Sequence, residues 1–278
     1  MHWLPLACLF EFGFAQLFKH SQRRGFYAPV VISANYLVLS GVLCLYFIAT
    51  GDFHFSANAV KVGAITGCVF ICSMLVMTRA LEVANVAAVL TAFRMAMIVP
   101  VVVGVWVWGE TIRVGQVAGI GLALLALFLM TRSSGRTYRL NGAKSLGLIA
   151  LVFCCQGASH SCLRWVHYAG LDDQFLKVLP VIGATAGTLG AILIALRRRR
   201  PRGAEIRMGA GIGLYNLVAL MVILTTLSQV PGTVFFPVLG CTVVVLDNLS
   251  AHFLWKEPLS RPARVGAALA VVAILLVV

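Results

Sequence analysis

Five polar or charged side chains lie inside long apolar runs of this sequence, and they indicate its chemistry. They are Glu11, Arg94, Gln156, His160 and Asp247. A charged residue at the centre of a lipid bilayer costs about 2.5–3.5 kcal/mol on insertion scales, so such residues are functional candidates. A carboxyl group in apolar surroundings binds a proton or a cation, and each excludes the other. We therefore predict that Glu11 is a proton or cation site, with a structural salt bridge to Arg94 as the alternative. Arg94 and Asp247 either bind the charged groups of a substrate or pair with one another.

Two of these residues share one face of a helix with a third polar position, because Gln156, His160 and Arg164 recur at intervals of four residues. We expect this stripe to face the interior of a helix bundle, with His160 as a second titratable group and Arg164 near the helix end, where it could snorkel. Hydrogen bonding to neighbouring helices is the alternative. Other candidates for lining a cavity are Thr91, Asn35, Tyr36, Tyr215 and Asn216.

The amino-acid composition indicates the class of protein in which these residues occur. The chain has 278 residues, of which 60% are hydrophobic and 11% are charged, with a net charge of +13. Soluble proteins contain about 25% charged residues. The composition therefore excludes a soluble basic protein such as a nucleic-acid binder, and it predicts an integral membrane protein.

Ten apolar runs are long enough to cross a membrane, since each needs about 20 residues. The predicted spans are 2–19, 27–49, 59–80, 84–108, 113–131, 145–163, 174–196, 208–228, 232–254 and 263–278. Their residues do not alternate in polarity, as the strands of a membrane barrel would. The prediction is an all-α integral membrane protein, with no signal peptide and no separate soluble domain.

The basic residues predict the orientation. Of the 22 Lys and Arg residues, 17 lie in the connectors after odd-numbered spans or at the span ends that adjoin them. These are Lys19, Arg23, Arg24, Arg79, Arg132, Arg136, Arg139, Lys144, Arg197 to Arg200, Arg202, Arg207, Lys256, Arg261 and Arg264. Because cytoplasmic loops carry the Lys and Arg excess, we expect the odd-numbered connectors in the cytoplasm, both termini outside, and a bacterial inner membrane as the location.

An internal repeat divides the chain in two. Trp108-x-Glu110 and Trp255-x-Glu257 each open a connector, with their glutamates 147 positions apart (257 − 110). Each is followed by Arg-Val-Gly and an apolar last helix. We predict two five-helix repeats, 1–135 and 136–278, inverted because five is odd, with a substrate site near the midplane between them. The repeated glutamates suggest a role in the fold more than in chemistry.

These motifs resemble the drug/metabolite transporter superfamily in its ten-span EamA-like form, over essentially the whole chain. The segment around Phe10-Glu11-Phe12-Gly13 and the segment Trp255-Lys256-Glu257-Pro258 are also similar to parts of the small multidrug resistance proteins. The resemblance implies transport or exchange of small metabolites, with a proton- and substrate-binding role for Glu11. In the second half, the position that corresponds to Glu11 would be Cys154 or Cys155. The sequence therefore lacks the second glutamate that a two-glutamate mechanism would require.

The leading functional prediction is a secondary transporter that exports or exchanges an amine-bearing or zwitterionic metabolite, such as an amino acid, with proton coupling. A flippase subunit for lipid-linked substrates and a polyprenyl-lipid enzyme are the alternatives. For the enzyme, the sequence offers Asp172-Asp173 in a short loop as its one pair of adjacent carboxylates and no Asp-x-x-x-Asp. An ATP-driven pump is excluded within this chain by the absence of a Gly-x-x-x-x-Gly-Lys-Ser/Thr loop. The eight cysteines all lie in apolar runs without ligand spacing. We therefore expect no metal or cofactor, no nucleic acid, and a monomer or homodimer in membrane lipid.

Overall fold

The computed structural model describes residues 2–84, 86–132, 142–253 and 261–278, and throughout these ranges the regular structure is helical. The helices are α1 (Trp3–Arg23), α2 (Ala28–Ala49), α3 (Ala57–Val83), α4 (Val86–Met95), α5 (Ile98–Trp108), α6 (Val114–Arg132), α7 (Gly142–Tyr168), α8 (Phe175–Leu196), α9 (Gly203–Gln229), α10 (Gly232–Phe253) and α11 (Arg261–Val277). A short 3-10 turn, Asp172–Gln174, precedes α8. The predicted all-α class is confirmed for this part of the chain.

Seven helical segments are long and apolar enough to cross a membrane. They are Ala28–Ala49, Ala57–Val83, Ala88–Trp108, Lys144–Tyr168, Asp172–Leu196, Gly203–Gln229 and Gly232–Ser250. The apolar helix Val114–Met130 is shorter. A helix occupies each of the ten predicted runs. The transmembrane helical character is thus supported, while the number ten and the orientation stay predictions.

The fourth predicted span, 84–108, is not one continuous helix. It is divided into α4 and α5 by a turn at Ala96 and Met97. Pro100 has no N–H to donate to the carbonyl of Ala96, and its ring crowds that carbonyl. The Ala96 carbonyl instead accepts from the N–H of Val99 at 3.0 Å. The proline therefore explains why the helix is interrupted here.

The described chain forms two compact units, each built from separate stretches of sequence. Unit 1 contains Met1–Phe12, Val76–Ser161 and Gln229–Val278. Unit 2 contains Gly13–Leu75 and Cys162–Ser228. Each unit thus draws on both predicted repeats. The predicted repeat boundary at 135/136 lies outside the described residues, and that division stays a prediction.

In unit 1, α6 and α11 pack along one another through glycines. A Cβ atom on Gly119, early in α6, would lie 3.1 Å from the carbonyl oxygen of Ala273, late in α11. A Cβ atom on Gly266, early in α11, would lie 2.9 Å from the carbonyl oxygen of Ala126, late in α6. The two helices are therefore antiparallel. The contacts are also reciprocal, since glycines and carbonyls are each 147 positions apart (266 − 119 and 273 − 126).

Unit 2 shows a second reciprocal set of contacts. A Cβ atom on Gly63 of α3 would lie 3.1 Å from the carbonyl oxygen of Val178 in α8. A Cβ atom on Gly209 of α9 would lie 2.6 Å from the carbonyl oxygen of Val31 in α2. The glycines are 146 positions apart (209 − 63) and the carbonyls 147 (178 − 31). The same close approach of helix to backbone thus occurs twice.

The pair α2 and α8 forms the centre of unit 2. Their backbones approach closely where Gly183 meets the carbonyl of Tyr36, at 2.7 Å from a Cβ built on the glycine. One turn further along α2, the hydroxyl of Ser40 donates to the carbonyl of Pro180 at 2.8 Å. Later residues of α2 thus meet earlier residues of α8, so these helices are also antiparallel. Small residues permit this approach.

Candidate functional site

A cavity within unit 1 brings together three of the residues that the sequence singled out. Glu11 of α1, Arg94 of α4 and His160 of α7 line it. The remaining walls are mainly apolar, formed by Phe93, Met97, Phe236, Leu239, Gly240 and Val243. Its free volume is close to what one ordered water molecule requires. Three charged or titratable groups therefore meet in a small, largely apolar chamber.

Arg94 and Asp247 form an ion pair beside this cavity. The distance from Arg94 Nη2 to Asp247 Oδ2 is 2.6 Å, and their side chains are 17% and 27% exposed. Arg94 lies in the last turn of α4, immediately before the helix break. The partial negative charge at the end of a helix favours a cation at this position. The guanidinium charge is thus balanced by Asp247 and by the end of its own helix.

Glu11 is placed differently. Among the described residues, it forms no hydrogen bond or ion pair, and the guanidinium of Arg94 is instead paired with Asp247. Arg94 and Asp247 nevertheless act electrostatically on its carboxyl group, with opposite signs. The alternative of a Glu11–Arg94 salt bridge is therefore not the arrangement found. The carboxyl group faces the cavity and can accept a proton or the positive group of a ligand.

Gln156 and His160 form a hydrogen-bonded pair on α7. The distance between Gln156 Nε2 and His160 Nε2 is 2.9 Å. The imidazole also packs edge-on against the ring of Phe236, with centroids 5.4 Å apart. These contacts fix the imidazole at the cavity wall. The predicted helical stripe thus brings His160 to the cavity and Gln156 directly behind it.

Thr91 also belongs to unit 1, one turn before Arg94 on α4, where it is half-buried. The other predicted cavity-lining residues belong to unit 2. These are Asn35, Tyr36, Arg164, Tyr215 and Asn216. None of them lines the cavity of unit 1.

The contacts of this second group are those of packing. The Asn216 amide donates to the Asn35 side-chain oxygen at 3.2 Å, and both residues are buried. Tyr36 packs against Phe70, with ring centroids 6.3 Å apart. The ring of Tyr215 lies against Gly13, where a Cβ atom would collide with it. The amide pair of Asn35 and Asn216 joins α2 to α9, as polar side chains do between membrane helices.

Arg164 does not snorkel to the helix end as the sequence suggested. The residue is only 4% exposed. Its guanidinium donates to the carbonyl of Leu227 near the end of α9, and it lies 5.0 Å from the ring centroid of Tyr168. Carbonyls in the last turn of a helix lack intrahelical partners. Arg164 therefore caps the C-terminal end of α9, which is a structural role.

The repeated glutamates of the connectors, Glu110 and Glu257, were predicted to have a role in the fold. Glu110 accepts hydrogen bonds from the N–H groups of Gly232 at 3.2 Å and Thr233 at 3.0 Å, the first residues of α10. This side chain caps the helix that carries Asp247. Glu257 lies outside the described residues. At the end of α3, an exposed ion pair has 2.9 Å between Arg79 Nη1 and Glu82 Oε2.

Sequence reasoning did not identify the apolar walls of the cavity. Met97 lies at the helix break, and a Cβ atom on Gly240 would come within 2.5 Å of its sulfur. Pro100 was the available signal, because a proline inside a span predicts a local departure from the helix. In the described residues, no group of three or more His, Cys, Asp or Glu side chains is arranged to hold a metal ion.

Comparisons with known proteins identify a similar fold but do not indicate an activity. No protein family matches the sequence. An uncharacterized protein of Haemophilus influenzae is 22% identical over 286 aligned residues, which cover 94% of this chain and 92% of that protein. A protein crystal structure that is 15% identical matches with a TM-score of 0.75 over 98% of this chain and 97% of that one. This likeness shows that the fold occurs in a solved protein structure.

Proposed function

We propose that this protein is a secondary transporter that exports or exchanges a small amine-bearing or zwitterionic metabolite, such as an amino acid or a related compound. Transport proceeds by alternating access and is coupled to protons. The observation that carries the proposal is the Glu11 carboxyl group, which faces a cavity and has no ion-pair partner among the described residues. The site lies within one chain, so the proposal needs neither a cofactor nor a second copy.

The charges around the cavity support exchange. Arg94 and Asp247 neutralise one another at 2.6 Å, so the charge available to a ligand belongs to Glu11. A proton and an ammonium group compete for this one carboxylate. Release of one allows binding of the other, which is the simplest chemistry of an antiporter. A carboxylate on a zwitterionic solute would compete with Asp247 for Arg94.

The interrupted helix supports the same function. Irregular backbone at membrane depth is tolerated where it is buried in protein or lines a cavity. Discontinuous helices with their ends at the substrate are a feature of secondary transporters. The break between α4 and α5 fits this description, because Met97 of the turn and Arg94 of the preceding helical turn both line the cavity.

The reciprocal contacts support the inverted repeat. In both units, helices of the two predicted halves make reciprocal contacts, with offsets close to 147 between equivalent glycines. The equivalent helices α6 and α11, and likewise α2 and α8, pack antiparallel. An inverted two-fold relation between five-helix halves produces such pairs. We therefore retain ten spans as two inverted repeats, EamA-like membership of the drug/metabolite transporters, and an inner-membrane location with both termini outside.

The test uses purified protein in two assays. A thermal-shift screen of amines and amino acids identifies a ligand, and proteoliposomes with an imposed pH gradient then measure its uptake with a radiolabel. We expect gradient-driven uptake by the native protein and none by Glu11→Gln. Glu82→Gln is the matched control, because Glu82 is exposed and away from the cavity. Full uptake by Glu11→Gln with unchanged pH dependence would disprove the role of Glu11.

A further inference from the structure

The ends of α1 and α7 have the same backbone geometry. Gly25 and Gly170 both have φ +68°, the left-handed conformation that glycine adopts at a helix end. The N–H of Gly25 donates to Gln22 at 2.9 Å, and that of Gly170 donates to His167 at 2.9 Å. In each case the next residue donates to the carbonyl five positions before it. The same turn also ends α2 at Gly51 and α8 at Arg198, so we pair these helix ends in chain order, Gly25 with Gly170, 145 positions apart (170 − 25).

Both helices run without interruption from these turns back through the site. Glu11 lies 14 residues before its glycine (25 − 11), and Gln156 lies 14 residues before its own (170 − 156). In α-helices of constant pitch, equal spacing from equivalent ends gives equal height and equal angle around the axis. Gln156 thus occupies the position on α7 that Glu11 occupies on α1.

From this equivalence we infer that Gln156 is the second-half counterpart of Glu11, so that the two equivalent helix positions carry one titratable carboxyl group and its neutral isostere. Cys154 and Cys155, where the sequence comparison placed the counterpart, are not equivalent by this geometry. The inference rests on the proposed function and sharpens it. The site takes one cationic group at a time, which is either a proton or the ammonium group of a monoamine, and it does not select a diamine.

The neighbouring groups agree with this single charge. Three elements bring charged or titratable side chains towards Glu11: α4 with Arg94, α7 with His160 and α10 with Asp247. Arg94 and Asp247 neutralise one another. The Gln156 amide is bonded to the imidazole of His160. Gln156 therefore acts as a positioning residue for His160 where a glutamate would bring a second charge.

The experiment moves the carboxyl group from one half to the other. Infrared difference spectra between acidic and alkaline pH detect the protonated carboxyl groups of the intact protein in detergent or lipid. Subtraction of the Glu11→Gln spectrum from the native one isolates the Glu11 band from the bands of the other eight Asp and Glu residues. The variants are Glu11→Gln, the exchange E11Q/Q156E, and E11Q/C155E as the matched control. Residue 155 precedes 156 by one position and therefore points about 100° away around α7. Size-exclusion profiles and thermal unfolding establish that each variant is folded.

We expect the band to disappear in Glu11→Gln, to return in E11Q/Q156E with a similar titration midpoint, and to differ in midpoint or be absent in E11Q/C155E. The single variant Gln156→Glu adds a second carboxylate. It should bind 1,4-diaminobutane at least tenfold more tightly than the native protein does, relative to butylamine, as measured by thermal shift. Gln156→Ala, which cannot hold His160, should alter the pH dependence of butylamine binding without removing the Glu11 band.

Two negative outcomes separate this inference from the proposed function. If Glu11→Gln removes the band and E11Q/Q156E does not restore it in a folded protein, the equivalence of the two positions is wrong and the role of Glu11 stands. Equal restoration by E11Q/C155E also overturns the equivalence. If the exchange variant restores the band while the native protein moves no amine across a membrane, the equivalence stands and the transport proposal fails. A band unchanged in Glu11→Gln overturns both.

Discussion

Arg94 and Asp247 neutralise one another beside the cavity, with 2.6 Å between Nη2 and Oδ2. Their helices, α4 and α10, belong to different halves of the chain but to the same unit. The pairing removes the guanidinium from direct contact with Glu11. It leaves one carboxylate of the site open to a proton or a ligand, which is the basis of the proposed exchange.

The first prediction concerns this ion pair. Asp247→Asn leaves Arg94 charged in a largely apolar environment, so we expect a loss of about 2–4 kcal/mol in folding free energy. The range lies below that of a fully buried pair, because the two side chains keep some exposure. Thermal or denaturant unfolding in detergent measures it. Glu82→Gln breaks the exposed Arg79–Glu82 pair and should cost about 0–1 kcal/mol.

A double variant separates the interaction energy of the Arg94–Asp247 pair from the individual contributions of the two residues. Arg94→Gln with Asp247→Asn removes both charges and leaves two amides that can bond one another, so much of the lost stability should return. Additive losses in the double variant would mean that the two residues act independently, contrary to the observed geometry.

The second prediction concerns the cap of α10. Glu110→Ala removes the acceptors for the N–H groups of Gly232 and Thr233. Loss of such a cap costs about 0.5–2 kcal/mol. Amide hydrogen exchange should therefore accelerate in the first turn of α10, while α8 is unaffected. Unchanged exchange at these two amides would show that Glu110 does not hold the helix.

The residues around the cavity show what sequence could establish. Glu11, Arg94, His160 and Asp247 were identifiable because a charge in an apolar run is costly. Periodicity also placed Gln156 and His160 on one face. The helical class followed from run length alone. All of these inferences depend on local composition or on the pitch of a single helix.

The pairing of side chains could not be inferred in the same way. The sequence offered both Glu11 and Asp247 as partners for Arg94, because the choice between them depends on how α1, α4 and α10 pack. Arg164 looked like a helix-end residue, yet packing against α9 buries it. The helix break before Pro100 could not be inferred from the sequence either, because prolines also occur inside unbroken helices, as Pro180 does in α8.

The third prediction tests the reciprocal contacts of α6 and α11. Gly119→Ala and Gly266→Ala each place a methyl group within 3.1 Å of a backbone carbonyl on the other helix. Overpacking of this kind costs about 1–3 kcal/mol. We expect both variants to lower the thermal unfolding midpoint by similar amounts. Gly121→Ala in α6 is the control, because nothing lies within 4 Å of its added Cβ atom. A large loss from only one of the two would contradict the repeat relation.

The last prediction concerns the interruption of the fourth span. Pro100→Ala restores an N–H that can donate to the carbonyl of Ala96, and it removes the ring that crowds this carbonyl. The two helices can then join into one, which turns Met97 and Arg94 relative to one another. We expect the unfolding midpoint to stay the same or rise. Ligand binding and gradient-driven uptake should fall at least tenfold, because the cavity wall is rebuilt.

The control for this variant is Pro180→Ala. Pro180 lies inside α8 in unit 2, where the helix is unbroken. Its replacement should leave ligand affinity within about twofold of the native value, since no cavity-lining residue depends on it. Disulfide cross-linking or spin-label distances between α4 and α5 would report the joining of the two helices directly. Native transport by Pro100→Ala, with α4 and α5 joined, would show that the break is a packing feature without a part in solute binding.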